Sequence, residues 1–161
     1  MLELKSTVFY GTTGVCVVER METKKIGRES KDYYVLKPVA QCSSTVYVPT
    51  DNEVLLSKVR EVISKSEVLS LLNESEVQDL WIDNESERRN AFANLVSTGS
   101  CRDRLNLMKT MHKKQRELSE NSKRLHLSDE RYFKDVSRLV CDEFSFVLEL
   151  TVKEVEELIY K

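Results

Sequence analysis

The feature that most constrains the fold is a change of residue pattern at Pro49. Three of the four glycines and both prolines of the 161-residue chain lie in its first 50 residues, between short runs rich in Val, Tyr and Thr. Such runs with turn residues between them predict a small antiparallel sheet or barrel. Proline cannot donate to a strand ladder, so Pro49 is expected to end the last strand, with residues 50–52 as a turn.

Alternating residues predict which side of each strand faces the core. In "KDYYVLK", Tyr34 and Leu36 share one face, whereas Tyr33 and Val35 share the other. The segment "KKIGR" at residues 24–28 predicts a hairpin tip, because its glycine can adopt a positive φ angle. Residues 1–50 are therefore predicted to form a β-rich head.

The rest of the chain, residues 51–161, predicts helices with clear start signals. The expected N-caps are Ser64, Asn84, Ser100, Ser128 and Thr151. The clearest helical period, with apolar residues three or four positions apart, follows Ser128 and comprises Phe133, Val136, Val140, Phe144 and Val147. The fold class is therefore α+β, with a β-rich head followed by a compact all-helical domain.

Composition argues against several classes of protein. The chain is 40% apolar and 32% charged, as in globular domains, and it shows neither an apolar run of membrane length nor a signal-peptide pattern. We therefore expect a cytoplasmic protein with no membrane partner. The chain has two histidines and four cysteines: His112 and His126; Cys16, Cys42, Cys101 and Cys141. Neither set shows the spacing of metal ligands or of catalytic residues. We therefore expect no metal, no cofactor and no catalysis.

Charge is distributed unevenly along the chain. Residues 51–87 carry three basic and ten acidic side chains, a balance of −7, whereas residues 88–138 carry thirteen basic and six acidic side chains, a balance of +7. Residues 139–161 return to −4, so the net charge of −2 conceals a basic region. A local positive field attracts phosphate whatever the total charge is. The alternative is that these lysines and arginines only solvate the helix surfaces.

Within this basic region the side chains recur at helical spacing, which suits contact with DNA phosphates because each contact releases a counterion. The candidate DNA-binding residues are Arg88, Arg89, Lys109, Lys113, Lys114, Arg116, Lys123, Arg124 and Arg131, and the spacing continues through Lys134 and Arg138.

The single tryptophan, Trp81, precedes this region and has two possible roles. It is either a packing residue or an apolar wedge inserted at a base step of DNA. In the head, Tyr33 and Tyr47 are candidates for a docking site at the edge of the sheet.

The head resembles the CarD family of bacterial transcription regulators, which share an RNA-polymerase-interacting domain with transcription-repair coupling factors. The resemblance lies in the aromatic-glycine turn "YGTTG", the strand "GVCVVE", the "IG" hairpin tip, "YYVL" and the closing "VPTDN". The tail resembles the family in "RRNAFANLVSTG", "MHKKQRE" and "KRLHLSDERYFKDVSRLVCDEFSFVL". The resemblance thus extends over essentially the whole chain.

This resemblance implies a Tudor-like β-barrel head that docks on the β subunit of bacterial RNA polymerase. It implies a helical tail that contacts promoter DNA, largely independently of sequence, at the upstream edge of the melted region. Such proteins modulate the stability of the open complex and act on no small-molecule substrate. Lys24 occupies a basic polymerase-contacting position of the family and Arg89 a DNA-contacting one. With Lys25 and Tyr33, the predicted polymerase-binding set is Lys24, Lys25, Tyr33 and Tyr47.

The sequence departs from the family at three positions. Gly11 replaces a proline that is common after the first aromatic residue, and Tyr47 stands where the family usually has a basic residue. Some members have a wedge tryptophan where this chain has Glu87, so Trp81 lies several residues before the expected position. The alternative function is that of a protein–protein adaptor whose helical domain binds another protein instead of DNA.

Overall fold

The computed structural model describes residues 1–74 and 76–161. These residues divide into two compact units, Met1–Val62 and Ile63–Lys161. Strands and one short helix build the first unit, whereas helices build the second. The predicted α+β class is confirmed.

The first unit is built on a five-stranded antiparallel sheet, counted over the described residues, with the strand order β4-β3-β2-β1-β5. In chain order its elements are β1 (Thr7–Tyr10), β2 (Gly14–Ile26), β3 (Glu29–Pro38), β4 (Val46–Pro49), α1 (Glu53–Leu56) and β5 (Val59–Glu61). Among the described residues no hydrogen-bonded pairing joins β4 to β5, so the sheet is open. The predicted closed barrel is not confirmed.

The first unit extends beyond the predicted boundary at residue 50 because the chain returns to the sheet after Pro49. The side chain of Asn52 accepts a hydrogen bond from the Leu55 amide and caps α1. After this single helical turn, β5 pairs with β1, so that Arg60 lies opposite Phe9. The strand β5 has only three residues, two of them charged, so the sequence pattern gave little indication of it.

The predicted strand faces are confirmed. Tyr34 and Leu36 lie in the core of the sheet with Val18 and Val48, all less than 5% exposed. The β2–β3 hairpin turns at Gly27, whose φ angle is +67°. An L-residue with a side chain rarely adopts this conformation, which explains the glycine in the "KKIGR" segment.

The second unit contains five helices within residues 63–74 and 76–161. They are α2 (Lys65–Asn73), α3 (Glu85–Thr98), α4 (Cys101–Glu120), α5 (Leu127–Leu148) and α6 (Val152–Ile159). Four of the predicted N-caps are confirmed by side-chain hydrogen bonds to the third residue of the helix, namely Ser64, Asn84, Ser100 and Thr151. None of the helices in the described residues is long and apolar enough to cross a membrane.

The predicted cap of α5 at Ser128 is wrong. The helix begins at Leu127 with His126 as N-cap, and no side chain caps it. Asp129 in its first turn is buried and bound by Arg88 of α3. This contact from another helix fixes the first turn, so the start of α5 does not depend on a local serine cap.

The helical period read from the sequence for α5 is confirmed in part, because Val136, Val140 and Phe144 are buried in the core of the second unit, whereas Phe133 and Val147 are partly exposed. The largest side chains that are less than 2% exposed come from α3, α4 and α5: Phe92, Leu107, Met108, Met111, Leu139 and Phe144. Glu143 is also buried, and one of its carboxylate oxygens accepts a hydrogen bond from the Ile63 amide at 3.0 Å.

The thiols provide a test of both cores. Burial raises the pKa of Cys16 to about 11 and that of Cys141 to about 12, whereas Cys42 is exposed. At about pH 8 we expect Cys42 to react with a chromogenic disulfide reagent at least about 100-fold faster than Cys16 and Cys141, because the thiolate is the nucleophile. In denaturant all four thiols are expected to react at similar rates. Reaction of native Cys141 as fast as Cys42 would contradict this packing.

Candidate functional site

A lysine–tyrosine cluster lies on the face of the sheet opposite the Tyr34 core. The Lys24 ammonium is 3.4 Å from the centroid of the Tyr47 ring, and Tyr33 meets Tyr47 edge-on with centroids 6.3 Å apart. The strand register explains this proximity: Tyr33 pairs with Glu22, two residues before Lys24, and Tyr47 pairs with Val35, two residues after Tyr33. We call Lys24, Tyr33 and Tyr47 the hairpin cluster.

Lys25 does not belong to the hairpin cluster. It pairs with Ser30, one position along the strand from Lys24. Successive strand residues point to opposite faces, so the exposed Lys25 side chain lies on the other side of the hairpin. The structure therefore brings together three of the four residues predicted to bind polymerase.

A buried ion pair joins α3 to α5 in the helical unit. Arg88 is 3% exposed and Asp129 is 2% exposed. Nε of Arg88 donates to Asp129 Oδ1 at 3.1 Å, and Nη2 donates to Oδ2 at 2.9 Å. Nη1 donates to the carbonyl oxygens of Ile82 and Asp83 at 2.9 and 3.2 Å. The Arg88 donors are thus engaged inside the protein, so this conformation does not offer them to DNA as predicted.

The Trp81 ring packs beside this ion pair. The Arg88 guanidinium carbon is 4.4 Å from the ring centroid and the Lys114 ammonium is 4.9 Å from it. Phe92 meets Trp81 at an interplanar angle of 64°, with centroids 6.1 Å apart. Trp81 is partly exposed. These contacts favour the packing role over that of a protruding wedge, although part of the side chain stays accessible.

The accessible part of Trp81 lines a cleft of about 530 Å³ in the helical unit, which we call the Trp81 cleft. Its lining includes three basic side chains outside the ion pair, Lys114, Lys123 and Arg124. Leu118 and Leu125 form apolar parts of the wall, and Asp83 and His126 also line the cleft. Five predicted DNA-binding residues from separate parts of the sequence therefore meet in one place, Trp81, Arg88, Lys114, Lys123 and Arg124, although Arg88 is already engaged by Asp129.

The remaining predicted DNA-binding residues do not line the Trp81 cleft. Lys109 lines a different cleft, formed with residues of α2 and α6. Arg89 is exposed and forms an ion pair with Glu85 at 3.0 Å. Lys113, Arg116 and Arg131 are exposed, whereas Lys114 is partly buried beside Trp81. The adjacent lysines at 113 and 114 thus occupy different environments, because successive helix residues are about 100° apart around the axis.

Several residues of the Trp81 cleft could not be identified from the sequence. An acidic residue in the first turn of a helix, such as Asp129, is ordinary, and its partner Arg88 is 41 positions away. Leu118 and Leu125 carry no signal beyond apolarity, although Leu125 lies between basic residues in "KRLHL". Only a three-dimensional arrangement of α3, α4 and α5 assembles them.

His112, which lies outside the Trp81 cleft, packs against an aromatic ring. His112 stacks on Tyr160 with ring centroids 3.8 Å apart and an interplanar angle of 19°. Burial, together with the positive charge of Arg116, lowers the pKa of His112. Within residues 1–74 and 76–161, no group of His, Cys, Asp and Glu side chains is arranged to hold a metal ion.

Residues 2–60 match the family model of the CarD-like/TRCF RID domain. The matched segment contains the whole sheet up to Arg60 and therefore includes the hairpin cluster. A search of curated proteins finds no match to the chain.

The buried ion pair can be tested against its neighbour in sequence. We expect Arg88→Ala to lower the free energy of unfolding of the helical unit by about 3–5 kcal/mol, because it leaves the Asp129 carboxylate buried without its partner. Arg89→Ala removes only an exposed pair, so we expect a loss of about 0.3–0.5 kcal/mol. Urea denaturation monitored by Trp81 fluorescence measures both values. Equal, small losses would show that the pair does not organise this unit.

Proposed function

Because this chain carries a CarD-like/TRCF RID domain, an RNA-polymerase-interacting domain, we propose that it is a transcription regulator that contacts RNA polymerase and promoter DNA together. In this proposal the first unit docks on the polymerase β subunit. The helical unit contacts DNA at the upstream edge of the melted region and changes the stability of the open complex. The protein acts in the cytoplasm, at the nucleoid. The observation that carries the proposal is the domain match over residues 2–60.

The hairpin cluster supports the polymerase contact. Tyrosine is enriched at protein interfaces because it presents a large, rigid surface with a polar end. Tyr47 is 37% exposed, and its ring is oriented by Tyr33 on one side and by the Lys24 ammonium. A surface that is already ordered loses less side-chain entropy when a partner binds.

The Trp81 cleft supports the DNA contact. Lys123 and Arg124 are exposed residues of its lining, and the Lys114 ammonium, in the same lining, is 4.9 Å from the centroid of the Trp81 ring. Contacts of this kind give an affinity that falls with salt, since DNA binding releases condensed counterions. A basic edge beside a partly exposed aromatic ring fits a site for the phosphate backbone better than a site for reading base sequence.

The two contacts would act together through the covalent link between the units. Once the first unit is bound to polymerase, DNA contact by the second becomes effectively intramolecular. A few exposed cations then suffice, even in a chain whose net charge is −2.

The DNA contact is tested by reversing charge at the cleft. We expect Lys123→Glu with Arg124→Glu to weaken binding of a promoter duplex at least about tenfold at low salt and to reduce the salt dependence by about two counterions. Lys65→Glu with Lys153→Glu makes the same change of net charge on exposed residues of α2 and α6 and is the matched control. Fluorescence anisotropy over a series of salt concentrations measures both. Equal effects of the two double variants would contradict a DNA site at the cleft.

The polymerase contact is tested by two adjacent lysines. We expect Lys24→Glu to weaken binding to the cognate RNA polymerase at least about tenfold, because a central contact of an interface typically costs more than about 1.4 kcal/mol when lost. Lys25→Glu, on the opposite face of the hairpin, should bind within about threefold of the unchanged protein. Biolayer interferometry with immobilised polymerase measures both. A larger effect at Lys25 would place the contact on the other face.

A second candidate function has one structural observation in its favour. An open cleft of about 640 Å³ in the helical unit is lined by Leu69, Leu72, Val77, Leu158 and Ile159, together with polar residues. Leu69, an apolar residue of α2 in this lining, is 43% exposed. Such a surface suits a protein adaptor, which would show no salt-sensitive DNA affinity and would bind its partner undisturbed by the Lys123 and Arg124 reversals.

A further inference from the structure

The interior of the Trp81 cleft has features that contact with duplex DNA does not use. A duplex meets a protein mainly through phosphates on its outside, so it can reach the exposed Lys123 and Arg124. Trp81, Leu118 and Leu125 form a concave surface with an aromatic ring, apolar walls and flanking cations. Its volume of about 530 Å³ lies in the range typical of small-molecule sites, roughly 300–1,000 Å³.

We propose that this cleft binds a free nucleotide. In this arrangement the base lies against Trp81 and the phosphates are bound by Lys114, Lys123 and Arg124. Asp83 is an exposed residue of the lining, and its carboxylate can accept a hydrogen bond from a ribose hydroxyl or an exocyclic amine. An aromatic ring beside a cluster of cations is the chemistry that recognises a base and its phosphate together.

The two cations over the Trp81 ring differ in how firmly they are held. Arg88, 4.4 Å from the ring centroid, is fixed by both oxygens of Asp129. Lys114, 4.9 Å from the centroid, has no carboxylate partner among the described residues. Lysine also has a flexible four-carbon stem. A base can therefore displace the Lys114 ammonium from the ring, and the released ammonium can pair with the phosphate of the same ligand.

This exchange gives the site a regulatory consequence. A nucleotide bound by Lys123 and Arg124 occupies cations that the DNA contact requires, so nucleotide and DNA compete. The competition rests on the proposed function, whereas nucleotide binding itself does not.

The chain contains one tryptophan, so its fluorescence reports on this cleft directly. We expect titration of the full chain with ATP to produce a saturable change in Trp81 fluorescence, with a matching heat in calorimetry. Lys114→Glu should weaken ATP binding at least about tenfold, whereas the matched control Lys113→Glu should change it less than about threefold. Adenosine alone and tripolyphosphate alone should each bind at least about tenfold more weakly than ATP, because each lacks half of the recognised ligand.

The following results would overturn the inference. One is the absence of a saturable signal with ATP up to about millimolar concentration, the weak limit of specific binding. Another is equal weakening by the two lysine variants, which would indicate unspecific attraction to a basic surface. Tripolyphosphate binding as tightly as ATP would reduce the cleft to an anion site. Binding of a short oligothymidylate without binding of ATP would assign the cleft to a nucleic-acid strand.

The same samples separate this inference from the proposed function. Duplex affinity is measured by anisotropy with and without ATP. If the duplex binds and ATP does not, only the nucleotide site is refuted. If ATP binds and the duplex does not, the DNA contact is refuted and the nucleotide site stands. Binding of both, with ATP lowering the duplex affinity, confirms the competition.

Discussion

The candidate site depends on one buried ion pair between α3 and α5. The guanidinium of Arg88 holds both oxygens of Asp129, and its remaining amino group holds the carbonyls of Ile82 and Asp83. Removing two charges from water is costly, and these four hydrogen bonds offset that cost. These hydrogen bonds join the start of α5 to the segment before α3, and the same guanidinium packs against the Trp81 ring. The residues on this side of the cleft are therefore already in place before a ligand binds.

Local chemistry explains why much of the fold could be predicted from the sequence. A serine or threonine three residues before an acidic residue marks a helix start, and such caps hold at Ser64, Ser100 and Thr151. Alternation along β3 likewise separated Tyr34 in the core from Tyr33 on the outer face, since strand side chains alternate with a period of two. The start of α5 could not be predicted in this way, because its first turn is bound by Arg88, a residue distant in sequence.

The site itself could be predicted only in part. The excess of basic residues in the sequence located the basic region, but it could not distinguish exposed from buried side chains. Arg88 and Arg104 are buried and bind groups inside the protein. Helical spacing grouped Lys109 with Lys113, whereas the packing of α2 and α6 places Lys109 in another cleft. Sequence patterns describe one helix at a time, and a cleft between helices depends on which faces of three helices meet.

The most direct test of the account is the lifetime of open promoter complexes formed by the cognate RNA polymerase. The account predicts that this protein changes the lifetime and that the change is lost when either the hairpin cluster or the edge of the Trp81 cleft is altered, because both contacts are needed at once. A chain altered at Lys123 and Arg124 that still changes the lifetime as the original protein does would contradict a DNA-contacting role for the helical unit.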